Sequence, residues 1–239
     1  LQDSFTKSRK NRKVGKILSR IKGIIKRRDY QLYSRPYELN IVGIRSKETK
    51  ANKFDDEIHV FYKTDKNRWN YHLYKATTDP GTFWLKNPAY PQGTAILKEG
   101  QYKNAYAIGR HQGKSPALVQ TGKVRVMRDY DRNAILDFNN AQIEEGTGIN
   151  IHLAKSSGKT KLIDKYSAGC QVFQDAESFV EFMELCREHS SLYGNSFTYT
   201  LIDFRAVRRI TLKRVAVAAS VVASIILGFL ITEEDDENS

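Results

Sequence analysis

Two different periods of apolar spacing divide the chain. Residues 7–28, KSRKNRKVGKILSRIKGIIKRR, bring Val14, Ile17, Leu18, Ile21, Ile24 and Ile25 together at helical spacing, with Lys and Arg filling the other face. After Pro36 the period falls to two. The segments 37–44, 57–63, 69–77, 93–97, 105–110, 116–122 and 124–130 are short, rich in β-branched and aromatic residues, and alternating. Turn signals such as DPG at 79–81 and PQG at 91–93 stand between them. This spacing predicts a mostly β body, a sandwich or a barrel-like pair of sheets.

The body continues with a strand over 146–152, GTGINIH, and closes with an alternating strand over 196–204. Between them, 175–194 is the one helix predicted in the body. Asp175 is placed to cap it, Phe179, Phe182, Met183 and Cys186 share a face, and Gly194 follows its end. Cys186 then reads as a small buried hydrophobe.

The pattern changes again after Arg208. Residues 215–231, VAVAASVVASIILGFLI, carry no charge and only Ser220 and Ser224 as hydroxyls. Such a run suits a single C-terminal transmembrane helix, followed by the acidic tail TEEDDENS. The alternative is a helix buried in a homo-oligomer, since its small residues also pack against other helices. The expected organisation is therefore a basic helical extension over 1–36, a β-rich domain over 37–207 and a membrane helix with its tail over 208–239. Arg208, Arg209, Lys213 and Arg214 would mark the cytoplasmic side by the positive-inside rule, and the body would share that side.

Charge sharpens the reading of the N-terminal helix. The net charge is +12, yet residues 1–36 hold twelve Lys or Arg against two Asp, so most of the excess sits there. A cationic amphipathic helix docks on anionic membrane surfaces, contacts nucleic-acid phosphates, or packs on its own body or a partner. The start of the sequence at Leu1 is basic and polar, without the apolar run of a signal peptide.

Only two cysteines occur, Cys170 and Cys186, too few for a disulfide scaffold and wrongly spaced for a CxxC pair. Cys170 is the chemical candidate. It follows the small-residue turn Ser167-Ala168-Gly169, and His152 ends the strand eighteen positions earlier. A thiol nucleophile needs a proton-accepting neighbour, most often an imidazole. Gly169 permits a tight turn before the sulfur, where backbone N–H groups could hold an oxyanion. Arg110 and His111, in AIGRHQGK, are a second candidate pair that could line the same cleft or bind an acidic substrate group. His59, His72 and His189 stand at unrelated spacings, so neither a metal site nor a cofactor is expected. SSGKTK (156–161) lacks the frame of a phosphate loop, and RDYDRNAILD (128–137) lacks the Gly and terminal Glu of a calcium loop.

Residues 146–171 resemble the signature of the L,D-transpeptidase catalytic domain, a histidine, a spacer and then S-H-G-C. Here His152 is followed by fourteen residues and then Ser167-Ala168-Gly169-Cys170. The β-rich stretch 37–145 suits the sheet that the family carries upstream. The resemblance implies that Cys170 attacks the carbonyl before the terminal D-residue of a peptidoglycan stem peptide and that His152 is the base. It also implies that a carbonyl near Leu153 orients His152, that amides around Gly169 and Cys170 form the oxyanion hole, and that Ser167, Ala168 and Gln171 border the substrate. Ala168 stands where the family usually carries a second histidine, and Gln171-Val172 where an apolar residue and then Arg or Asn are usual. The runs TTDPGTFWLKNP, GTAILKEGQY, ALVQ and YSAGCQVF also resemble proteins encoded by bacteriophages and prophages. The resemblances imply an enzyme of the cell envelope, anchored by its C-terminal helix, which with a cytoplasmic body requires inverted insertion, delivery from outside or a helix that does not span, or alternatively a virion structural or delivery protein with a degenerate site.

Overall fold

In the computed structural model, which describes residues 2–138 and 142–204, the N-terminal stretch forms helix α1 (Gln2–Arg27). Leu18, Ile21, Ile24 and Ile25 are buried, each removal from water contributing roughly 1.5–3 kcal/mol. Lys16, Arg20, Lys26 and Arg27 remain exposed, while the Lys22 ammonium lies 4.7 Å from the centre of the Trp69 ring. Beyond the helix, Arg28 pairs with Glu99 at 3.0 Å. The Gln101 side chain accepts from the Gln31 N–H at 2.8 Å and donates to the Gln31 carbonyl at 2.9 Å. From Val14 on, the helix thus packs on the body through its apolar side and leaves Lys16, Arg20, Lys26 and Arg27 exposed.

The body follows as β1 (Asn40–Arg45), β2 (Asp56–Lys63), β3 (Trp69–Thr77), α2 (Thr82–Lys86), β4 (Thr94–Leu97), β5 (Gly100–His111) and β6 (Ser115–Gln120). Then come β7 (Val124–Asp129), β8 (Ile143–Gly146), β9 (Ile151–Leu153), β10 (Gln171–Phe173), α3 (Ala176–Tyr193) and β11 (Phe197–Asp203). Eight strands close into a barrel in the order β1-β11-β5-β6-β9-β10-β3-β2, and β4, β7 and β8 form a separate three-stranded sheet. One apolar cluster fills the barrel, including Ile41, Ile58, Val60, Tyr106, Leu118, Ile151, Phe173, Tyr199 and Leu201. The same cluster takes in Ala95, Leu97, Val124 and Val126 of the small sheet and Phe179, Phe182, Met183 and Cys186 of α3. The Asp175 carboxylate caps α3 by accepting from the Ser178 N–H at 3.1 Å.

The body is mostly β, with three departures from the sequence expectation. It has a second helix, α2, one turn directly after the DPG turn. The strand expected over 146–152 is realised only at its end: β8 lies before it, reaching Gly146, Gly148 takes φ +72°, and β9 begins at Ile151. Glycine supplies the left-handed backbone that breaks it. The strand β10 was not anticipated, because three residues are too few to show alternation.

A buried ionic cluster ties the strand ends to the cleft described below. Arg45, fully buried, places Nε 2.7 Å from Asp79 Oδ1 and donates from Nη2 to the Thr78 carbonyl at 2.9 Å. Asp56 accepts from the Ser46 N–H (2.7 Å), the Thr78 N–H (2.6 Å) and the Thr78 hydroxyl (2.8 Å). These bonds fix the turn before α2. At its end the Gly81 N–H donates to the Ser167 carbonyl at 2.9 Å, so the two turns are held together.

The described residues up to Ile202 make one compact unit. The expected membrane helix, 215–231, lies outside the described residues. Among the described residues no helix is long and apolar enough to cross a membrane.

Candidate active site

Adjacent strands deliver the histidine and the cysteine. β9 and β10 run parallel in register, Val172 opposite His152 and Gln171 opposite Ile151. Ile151 and Phe173 point into the barrel core, so strand alternation turns His152, Cys170 and Val172 to the outer face. There Cys170 and Val172 pack with Phe54, Ala154 and Ile163. The resulting cleft, about 190 Å³, is lined around His111, His152 and Cys170 by Trp84, Tyr90, Lys165, Tyr166 and Ala168, among others. Arg128 also lines it, but its guanidinium is engaged by Glu144 Oε1 and the Gly93 carbonyl.

The turn before the sulfur holds itself together. Gly169 adopts φ +121°, and a Cβ built there would lie 2.5 Å from the Ala95 carbonyl oxygen, so only glycine suits the position. The Ser167 hydroxyl donates to the Cys170 carbonyl at 2.8 Å and accepts from the Gly169 N–H at 3.2 Å. The thiol donates to the Gly148 carbonyl at 3.3 Å, and the sulfur accepts from the Asn150 N–H at 3.4 Å.

His152 is nearly buried, 5 % exposed. Its Nδ1 lies 2.9 Å from the Leu153 carbonyl. A carbonyl only accepts, so Nδ1 carries the proton and Nε2 is a lone pair. That Nε2 is buried without a hydrogen-bond partner. Burial, helped by neighbouring His111, lowers His152 to about 4, although the Leu153 carbonyl pulls the other way. Burial also pushes the Cys170 thiol up to about 11, against the Asn150 N–H that favours the thiolate. The resting pair is therefore neutral thiol and neutral imidazole.

His111 comes from the end of β5. The β5–β6 hairpin pairs His111 with Ser115, and β6 then pairs Ala117 with His152. The His111 and His152 rings consequently stack, centroids 3.9 Å apart and planes 14° from parallel. Burial lowers the pKa of His111, and its Nδ1 lies 3.0 Å from Asn150 Nδ2.

Other sequence candidates lie elsewhere. Ser167 and Gln171 are fully buried. Ser167 locks the turn, and Gln171 faces the barrel interior, accepting from the Tyr199 hydroxyl at 2.9 Å. Neither lines the cleft. Arg110 folds back onto the carbonyls of Gly113 and Lys114. Asn150 and Gln120 were missed, because sheet register alone brings Asn150 to His111 and Gln120 to Asn150.

Ring nitrogens of His111 and His152 and the Cys170 sulfur lie within 4.8 Å of one another, a grouping that histidine spacing did not foretell. It fits a metal ion poorly. Nearly parallel rings aim their in-plane lone pairs side by side rather than at one tetrahedral centre. His111 Nδ1 is also engaged by Asn150. The arrangement suits proton transfer and thiol attack. Comparison of the chain with family models, with curated proteins and with solved structures gives no match in any of the three.

Proposed function

We propose that the chain is a cysteine acyl-transfer enzyme of the L,D-transpeptidase-like class, acting on peptidoglycan stem peptides through an acyl-enzyme on Cys170. The observation that carries this reading is the unpartnered lone pair on His152 Nε2, on a residue that lines one cleft with Cys170 and has a ring nitrogen within 4.8 Å of its sulfur. With both groups neutral at rest, the thiolate forms only during attack. The S–H turns from the Gly148 carbonyl to His152 Nε2, which takes the proton as sulfur bonds to the substrate carbonyl carbon. The tetrahedral intermediate collapses as the C–N bond breaks and His152 returns the proton to the leaving amine. A second amine then forms a cross-link, or water releases the acid. Because the Gly169 N–H is engaged by Ser167, the Cys170 N–H is the backbone donor assigned to the oxyanion.

Intact-mass measurement after incubation with disaccharide tetrapeptides tests this. The wild-type protein should gain the mass of an acyl group on Cys170. Cys170→Ala should gain none, and His152→Ala should slow acylation by at least about a hundredfold, the usual weight of a general base. Absence of any adduct on the wild-type protein would sink the reading.

One observation favours a second role. With the apolar side of α1 buried and Lys16, Arg20 and Arg27 exposed at i, i+4 and i+11, the helix is arranged for contact with phosphates. That is the role a virion or delivery protein would use.

A further inference from the structure

The tautomer of His111 is set by a chain of hydrogen bonds that begins on the backbone. The Gln120 N–H can only donate, and it donates to Asn150 Oδ1 at 2.9 Å. The oxygen of the Asn150 amide is thereby fixed toward Gln120, and its NH2 faces His111 Nδ1 at 3.0 Å. An NH2 group donates, so His111 Nδ1 accepts and, in the neutral ring, the proton sits on Nε2. Across the stack the polarity is reversed, since His152 carries its proton on Nδ1 toward the Leu153 carbonyl. Of two imidazoles 3.9 Å apart that both line the cleft, one thus carries a lone pair on Nε2 and the other an N–H.

An oxyanion site requires more than one donor to hold developing charge well. The sequence pointed to the amides of Gly169 and Cys170, but the Gly169 N–H is engaged by Ser167 Oγ at 3.2 Å. Position 168, where a second histidine is usual in the resembled family, is alanine. We propose that His111 Nε2–H is the missing donor, a catalytic group that hydrogen-bonds the oxyanion formed when Cys170 attacks. This rests on the acyl-transfer reading above.

In the step itself the thiol proton passes to His152 Nε2, sulfur bonds to carbon, and the carbonyl π pair moves onto oxygen, which accepts from His111 Nε2–H. The pair returns as the leaving group departs with the proton from His152. His111 keeps its own proton throughout. It must also stay uncharged, because His152 becomes an imidazolium directly across the stack; burial, which disfavours a charged ring, holds it so.

The test separates this role from thiol activation and from the choice of substrate. Acylation of Cys170 by p-nitrophenyl acetate develops an oxyanion, whereas alkylation by iodoacetamide does not. In the full chain, His111→Leu should slow acylation roughly a hundredfold or more, the usual effect of losing one such donor. Alkylation should change less than about threefold, and His111→Gln, which retains an N–H donor, should recover acylation to within about tenfold of wild type. Equal loss in both reactions, or loss in neither, would overturn the proposal. Nitrogen-15 NMR of the wild-type protein gives a readout independent of any variant's folding. His111 should be the Nε2–H tautomer and His152 the Nδ1–H tautomer, and a protonated Nδ1 on neutral His111 would also overturn it. Failure on muropeptides with a normal acylation-to-alkylation pattern would remove only the assigned substrate.

Discussion

Cys170 is a nucleophile kept as a thiol until needed. Desolvation raises it to about 11 and lowers His152 to about 4, so no ion pair stands ready between those values. Iodoacetamide reactivity of Cys170 should therefore climb about tenfold per pH unit from pH 7 to 10 and level off near 11, as thiolate accumulates. A pre-formed thiolate–imidazolium pair would give a plateau near neutrality, and stopped-flow alkylation distinguishes the two. His152, Gly169 and Cys170 were legible in the sequence because a motif places them close together along the chain. Gln171 looked equally near the chemistry. Strand alternation, which a three-residue strand does not reveal, turns its side chain to Tyr199 instead. His111 could be named only as a loop histidine, since its partner Asn150, itself held by Gln120, is brought to it by pairing between distant segments.

The long elements were legible, and of the short ones β4 was expected while α2, β8 and β10 were not. β2, β3 and α3 have enough residues to show their period, whereas α2 and β10 do not. Yet β10 decides the site. Because it lies beside β9 in parallel register, with Val172 opposite His152, the sulfur is placed relative to the imidazole by that register, two residues before the position opposite His152 on the same face, and not by the length of the connection 154–169. Lys155, Ser156 and Ser157 in that connection are exposed. Inserting four Gly or Ser residues between Ser156 and Ser157 should cost under about 1 kcal/mol, since loop-closure entropy grows slowly with length. Cys170 acylation should persist. A collapse of activity with the fold intact, measured by circular dichroism beside the acylation assay, would show that the exposed stretch 155–159 positions the cleft-lining residues that follow it.

At the scale of the whole molecule, charge and chemistry are segregated. The net charge of +12 is concentrated in and around α1, while the cleft is built on the barrel's β9–β10 seam. Four exposed described cations on α1 set a scale for phosphate binding. Retention on DNA should fall on the order of a hundredfold between about 50 and 200 mM salt if four phosphates are contacted. Salt-independent retention, or none, would remove the phosphate-binding role and leave the acyl-transfer reading untouched. The β-rich class, the amphipathic helix and the capped α3 followed from periodicity, because each buries one face against a single core. Barrel closure did not, because it depends on which distant strands become neighbours.

The burial of Cys186 has a consequence of its own. It is fully buried among the aromatic residues of α3 and the barrel core, and burial raises its thiol well above the ordinary range. The two cysteines therefore divide into a sulfur that reports on the open cleft and a sulfur silent until the core comes apart. The chain carries its own unfolding clock, one thiol marking time for the site and the other for the whole fold.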